Sequence, residues 1–212
     1  MCIRDSGLCG GFNGTVTRQT RAEVARLQAD NKNVKLLMIG RKSADALRRE
    51  FGDFYIDRYE GLQGTSVNYS DAVKISEAIC TGFKAGEFDV CTLIFNKFKN
   101  AITQEITLTH LIPAEVGNSE VGVGDAPFMS YEYEPEEDEL LASLLPRNLS
   151  TQVYGALLES SAAELAARMT AMDNATRNAG ELIDRLTLVY NRTLQANITS
   201  ELIEIISGAE AV

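Results

Sequence analysis

The residues Gly7-Leu8-Cys9-Gly10-Gly11-Phe12-Asn13-Gly14 lead into a helical pattern, as a phosphate-cradling loop at a helix N-terminus would. Their spacing is not G-x-G-x-x-G, and G-x-x-x-x-G-K-[ST] occurs nowhere in the chain. Gly40-Arg41-Lys42-Ser43 follows a strand-like run but lacks both the upstream glycine and the G-K pair. A tight turn packed against a neighbour accounts for the first glycines at less cost. His110 is the only histidine, and Cys2, Cys9, Cys80 and Cys91 show no C-x-x-C spacing, so no zinc site is expected. A Ser-His-Asp or Cys-His mechanism would have to use His110, which lies in the strand-like run Ile106–Ile112 and reads as a packed or edge residue. The abundant carboxylates form no visible acid/base pair. No catalytic residue, cofactor site or metal site is therefore expected.

The whole chain sharpens this. It has 212 residues, 20 basic against 30 acidic side chains, a net charge of −10 and a sequence pI of about 4.7. Such a chain has no general attraction for nucleic acid or an anionic lipid surface. Hydrophobic residues at 45% place it among ordered proteins. No apolar run of about 18 residues exists to span a bilayer, so any membrane association runs through partners. Scattered cysteines without a secretory signal point to reduced thiols in a cytosol-like compartment.

Two organisations meet near Pro135. Residues 1–134 read as an α/β domain and 135–212 as a long helix. In the first part Val34–Ile39 and Val90–Phe95 are apolar runs typical of buried strands, and Phe54–Tyr59 is a short strand candidate. Thr15–Leu27, Lys42–Phe51 and Tyr69–Phe83 carry helical periodicity, the last with Ser70 or Asp71 as its cap. Alternation through Ile102, Ile106, Leu108 and Leu111 predicts a further strand. Ala114–Pro127 predicts a glycine-rich loop, and Phe128–Tyr133 a final strand. This is the pattern of a parallel α/β sheet with an antiparallel addition. The acidic cluster from Glu132 to Glu139 reads as a solvated helix start, where negative charge offsets the macrodipole.

From Glu136 to Ser207 the pattern is helical, with Pro146 predicted to break or kink it. Some 60 residues beyond that point at 1.5 Å each predict a helix of roughly 90 Å. An apolar stripe runs Leu149, Val153, Leu157, Ser161, Leu165, Met169, Met172 and on through Ile183, Tyr190, Ile198 and Ile205, with a mean step of about 3.7 residues. Alanines from Ala162 to Ala179 thin its middle, which lets a second helix approach. A helix of this length cannot bury its stripe alone, and the chain offers no comparable helix to pair with it. Short polar groups such as Asn174, Thr176, Asn191, Gln195 and Thr199 also suit a surface touched by something else.

These residues carry a resemblance. Gly7 to Asn13 resembles the G-L-C-G-G-x-N signature of the gamma subunits of F-type ATP synthases. Ala166–Ala179 and Gln195–Ala209 resemble the C-terminal helix of that family. The resemblance implies a Rossmann-like α/β domain beside a C-terminal helix that forms half of an antiparallel coiled coil, with the family's N-terminal helix and first strand missing. It implies the role of a central rotor shaft, itself non-catalytic, inside the ring of alpha and beta subunits, with further contacts to the epsilon subunit and the membrane c-ring. Gln195 and Thr199 match positions that meet beta subunits, and Arg168 and Glu204 lie on the same segments. Cys9, Tyr131 and Tyr133 match the foot that touches epsilon and the c-ring. The implied location is peripheral, on the cytoplasmic face of the bacterial inner membrane, or the matrix side of the mitochondrial one. The segment Met1–Ser6 departs from the family's S-D-R, and Leu194 stands where the family usually has Arg. The redox-regulatory insertion of chloroplast members has no counterpart here. Two other readings compete: a scaffold in which two copies pair their long helices, and a nucleotide-binding α/β enzyme.

Overall fold

The computed structural model describes residues 2–3, 7–59, 67–114, 134 and 136–210. A five-stranded sheet is built from β1 (Cys2–Ile3), β2 (Leu36–Ile39), β3 (Tyr55–Tyr59), β4 (Cys91–Phe98) and β5 (Gln104–Ile112), in the spatial order β3-β2-β1-β4-β5. The pairs β3–β2, β2–β1 and β1–β4 are parallel, and β5 joins β4 antiparallel through a hairpin. The helices are α1 (Phe12–Ala29), α2 (Arg41–Phe51), α3 (Tyr69–Lys84) and α4 (Glu137–Glu210). The sheet thus has a first strand where the sequence leads one to expect none. Cys2 and Ile3 sit between β2 and β4, a two-residue strand too short for any periodic pattern to announce.

Both faces of the central sheet are covered, which is why β2 and the middle of β4 read as unbroken apolar runs. Leu36, Met38 and Ile94 point to one face and pack with Val16 and Val24 of α1 and Ala44 and Leu47 of α2. Ile39, Leu93, Phe95 and Leu111 point to the other, against Ala72, Ile75 and Ile79 of α3 and Leu149, Val153, Ala156 and Leu157 of α4. Adjacent strand residues divide between the two clusters, as the pleat requires. Buried hydroxyls on α1 are satisfied within the helix: Thr20 Oγ1 donates to the Val16 carbonyl at 2.9 Å.

Local chemistry sets the ends of α3. Its N-cap is Asn68, in extended conformation, so neither Ser70 nor Asp71 caps it. Both fall within the first turn, where Asp71 pairs with Lys74 at 3.4 Å. At the other end Gly86 takes φ 71°, and the Glu87 N–H reaches back to the Gly82 carbonyl at 3.0 Å.

Compact packing divides the chain into Met1–Met169 and Thr170–Val212. A division by element type falls at the start of α4; a division by packing falls inside it. The reason is that α4 supplies part of the first unit's core. It also runs through Pro146 as one helical element, where the sequence predicts a break or kink. The proline leaves the Ala142 carbonyl without its helical donor, but residues 141–148 are exposed and water can serve it. No helix among the described residues is long and apolar enough to cross a membrane. The expected loop beyond Ala114 and the expected strand Phe128–Tyr133 lie outside the described residues.

Candidate functional site

The glycine signature forms a turn closed by the Phe12 N–H bonding to the Cys9 carbonyl at 3.2 Å. Leu8 (φ 60°) and Gly10 (φ 57°) both take left-handed conformations, so Gly10 answers a backbone requirement. The turn delivers Cys9 and Phe12 into a small buried cluster with Ala163 and Ala167 of α4. On the sheet side, Asn96 Nδ2 donates to the Phe12 carbonyl at 3.4 Å. The tight-turn reading accounts for this loop.

His110 sits on edge strand β5, exposed, with Nδ1 3.0 Å from Oγ1 of its cross-strand partner Thr92. Of the two readings open from the sequence, packed or edge residue, it is the second. Burial pushes the Cys91 thiol above its usual range, which keeps it protonated at neutral pH.

The sequence-derived contact residues are distributed as follows. Arg168 belongs to the first unit and is ion-paired to the largely buried Glu164 one turn earlier. Gln195, Thr199 and Glu204 belong to the second unit and are exposed. Thr199 Oγ1 donates to the Gln195 carbonyl at 2.8 Å, so these two share one face. At about 100° per residue, Glu204 lies on the face opposite Gln195. Cys9 is only 2% exposed, covered by the cluster just described, while its neighbour Leu8 stands open. Tyr131 and Tyr133 lie outside the described residues.

The packing keeps the start of the predicted apolar stripe, Leu149, Val153 and Leu157, and corrects its continuation. Within the first unit Leu149, Val153, Ala156, Ser160, Ala163 and Ala167 are buried at steps of four and three, a heptad seam, and Ser150, Leu157, Glu164 and Ala166 are buried beside it. Ser161, Leu165 and Met169 are off it, and the last two are exposed. Beyond Leu157 small residues carry the seam, so their weak hydropathy hid that part in the sequence. In the second unit every described residue from Met172 to Ala209 is exposed. The large apolar groups there do not form one stripe. At about 100° per residue, Leu182, Ile183, Leu194, Leu202, Leu188 and Ile203 follow one another around the whole circumference.

An α/β head whose last helix runs on with many exposed large apolar side chains is the architecture to be compared with known proteins. The ATP synthase family model matches residues 1–212. The ATP synthase gamma chain of Gluconacetobacter diazotrophicus is 53% identical over 209 residues, covering 98% of this chain and 71% of that protein. A chain in the cryo-EM structure of the central stalk and c-ring of the Tetrahymena thermophila mitochondrial ATP synthase aligns with TM-score 0.60 and 30% identity, over 82% of this chain and 74% of that one. One in the Euglena gracilis mitochondrial ATP synthase shares the fold, with TM-score 0.71 and 22% identity over 99% of this chain and 72% of its own length. The chain belongs to the ATP synthase gamma chain family.

Proposed function

We propose that the chain is the central rotor shaft of a proton-translocating F-type ATP synthase, coupling rotation of the membrane c-ring to conformational change in the catalytic subunits. It performs no bond chemistry in this reading, and the catalytic sites lie on beta subunits. The observation that carries it is the number of large apolar side chains, from Met172 through Leu182, Leu186 and Tyr190 to Ile206, that α4 leaves exposed among its polar ones. An ordinary surface helix hides its apolar side chains against its own domain; a helix that leaves so many uncovered is suited to being surrounded. A helix with different residues on each face, turning inside a ring, presents a different surface to each surrounding subunit in turn. Only such differential contact can bias the subunits into different states.

The partners are then the alpha and beta subunits, with epsilon and the c-ring at the foot, and the location is peripheral, on the cytoplasmic face of a bacterial inner membrane. Arg168, Gln195, Thr199 and Glu204 are assigned to contacts with beta. Because Glu204 faces away from Gln195, the two meet different beta subunits at any one moment. Cys9, Tyr131 and Tyr133 are assigned to the foot. Since Cys9 is covered, its part is to hold the turn that presents Leu8.

The test is a pull-down of the chain with alpha and beta subunits, with and without an added partner helix. Recovery of an alpha–beta complex supports the shaft; a soluble homodimer with no affinity for either subunit overturns it. In the assembled complex, Gln195→Ala with Thr199→Ala lowers coupled ATP turnover while leaving the thermal unfolding of the isolated chain unchanged. Unchanged turnover would remove these residues from the interface.

A further inference from the structure

We propose that Ser150 and Glu159 form a torsional clamp that makes the α/β head turn with α4. The clamp rests on the shaft reading, since only a rotating helix needs one. The face that α4 buries in the head begins with Leu149, Val153 and Leu157, whose bulk keys the helix into the core, and ends in Ala156, Ser160, Ala163 and Ala167, small side chains that give a smoother surface. Apolar burial is non-directional, so this smoother part adds more to adhesion than to resistance against twist about the helix axis. Hydrogen bonds are directional and supply what the seam lacks.

Two such bonds run from this part of α4 to the head. Ser150 Oγ lies 2.5 Å from Ser76 Oγ of α3, both in buried residues. Glu159 Oε2 accepts the backbone N–H of Phe98, the last residue of β4, at 2.9 Å. Their placement around the helix matters most. Nine residues at about 100° each put Ser150 and Glu159 about 180° apart, one on either flank of the seam. A twist in one sense strains the tie to α3, and a twist in the other strains the tie to β4. Tyr154 reinforces the α3 flank, its ring edge-on to Tyr69 at 5.5 Å between centroids. The clamp is thus bidirectional, as a shaft that runs for both synthesis and hydrolysis requires.

The experiment compares ATP hydrolysis with ATP-driven proton pumping in the complex reconstituted with the chain. Ser150→Ala combined with Glu159→Ala is expected to leave hydrolysis intact and to lower pumping, because the helix yields more readily to twist against the head. Glu159→Gln is expected to match the unsubstituted chain in both readouts, since its amide oxygen accepts the same N–H. Full pumping by the double variant overturns the clamp, and so does a pumping loss in Glu159→Gln equal to that in Glu159→Ala. Failure of the unsubstituted chain to enter the complex sinks the shaft reading instead. The ties are then read in the chain alone: Glu159→Ala speeds amide exchange at Phe98 and Glu159→Gln does not, and equal exchange in all three overturns them.

Discussion

Between Leu149 and Ala167, α4 buries a heptad seam in its own head; between Met172 and Ala209 it buries nothing. Backbone structure is the same in both stretches, and the side chains differ in an unexpected direction. The buried stretch is increasingly Ala and Ser, whereas the exposed stretch holds Leu, Ile, Val and Tyr around its whole circumference. Hydrophobicity along the helix therefore does not report what this chain covers by itself. From Ala156 to Ala167 small residues mark where the head approaches closely, and beyond Met172 the large ones mark a surface that this chain leaves uncovered.

The largest effect should fall on the buried side. Leu157 is fully buried between α3 and the sheet, so Leu157→Ala is expected to cost about 2–5 kcal/mol in thermal unfolding of the chain. Leu186, 57% exposed, is expected to tolerate the same change within about 0.5 kcal/mol. Equal costs would mean that the second stretch packs against something within the chain. In the assembled complex the contrast should narrow, as Leu186 acquires neighbours.

Ala163 probes the approach distance. It is fully buried beside Cys9 and Phe12, and Ala163→Leu forces extra volume into a filled site, at an expected cost of about 1–3 kcal/mol. Ala179→Leu, on the exposed stretch, should be neutral or only slightly unfavourable to the isolated helix. A tolerated Ala163→Leu would show that the seam is looser than its burial indicates.

Much of the head was legible because its strands and helices carry large side chains at regular periods. The run Val34–Ile39 contains β2, the alternation from Ile102 contains β5, and Ala44, Leu47 and Phe51 do line the inner face of α2. Three things were not legible, for three reasons. β1 is two residues long and has no period to read. Beyond Leu157 the seam on α4 passes to Ala and Ser, which have little hydropathy, so Leu165 and Met169 drew that part of the predicted stripe onto the exposed face. Cys9, matched by resemblance to a contact surface, is turned inward by two successive positive φ angles flanking it, at Leu8 and Gly10, which no periodicity encodes. Gln195 and Thr199 do share one face, because four residues are nearly one turn.

The tie between Ser76 and Ser150 should show a smaller effect, and its size can be argued from proton count. Ser76 Oγ is 2.9 Å from the Val73 carbonyl and Ser150 Oγ is 3.0 Å from the Pro146 carbonyl. Two hydroxyl protons thus face three acceptor positions, the third being the partner oxygen. When one hydroxyl donates across to the other, it gives up its own carbonyl. The cross-helix bond replaces an intrahelical one, so a double-mutant cycle of Ser76→Ala and Ser150→Ala should give a coupling of about 1 kcal/mol and no more. Zero coupling would mean that both protons stay with their carbonyls and that Glu159 alone resists twist.

The smallest effect expected is electrostatic and lies on α1, away from either stretch of α4. Arg26 donates a bidentate pair of hydrogen bonds to Glu23 and holds its carboxyl below the usual carboxylate range. A carboxylate with a lowered folded-state pKa binds fewer protons folded than unfolded. Its contribution is therefore complete above the unfolded value near 4.3 and is lost as pH falls through the folded value. Arg26 is more than half exposed, so solvent screens the pair and the gain is modest. Glu23→Gln should accordingly leave thermal stability at pH 7 only slightly lower and flatten its decline below about pH 4. The comparison also cuts the other way: an acid-range decline that Glu23→Gln leaves unchanged would place the responsible carboxylates elsewhere.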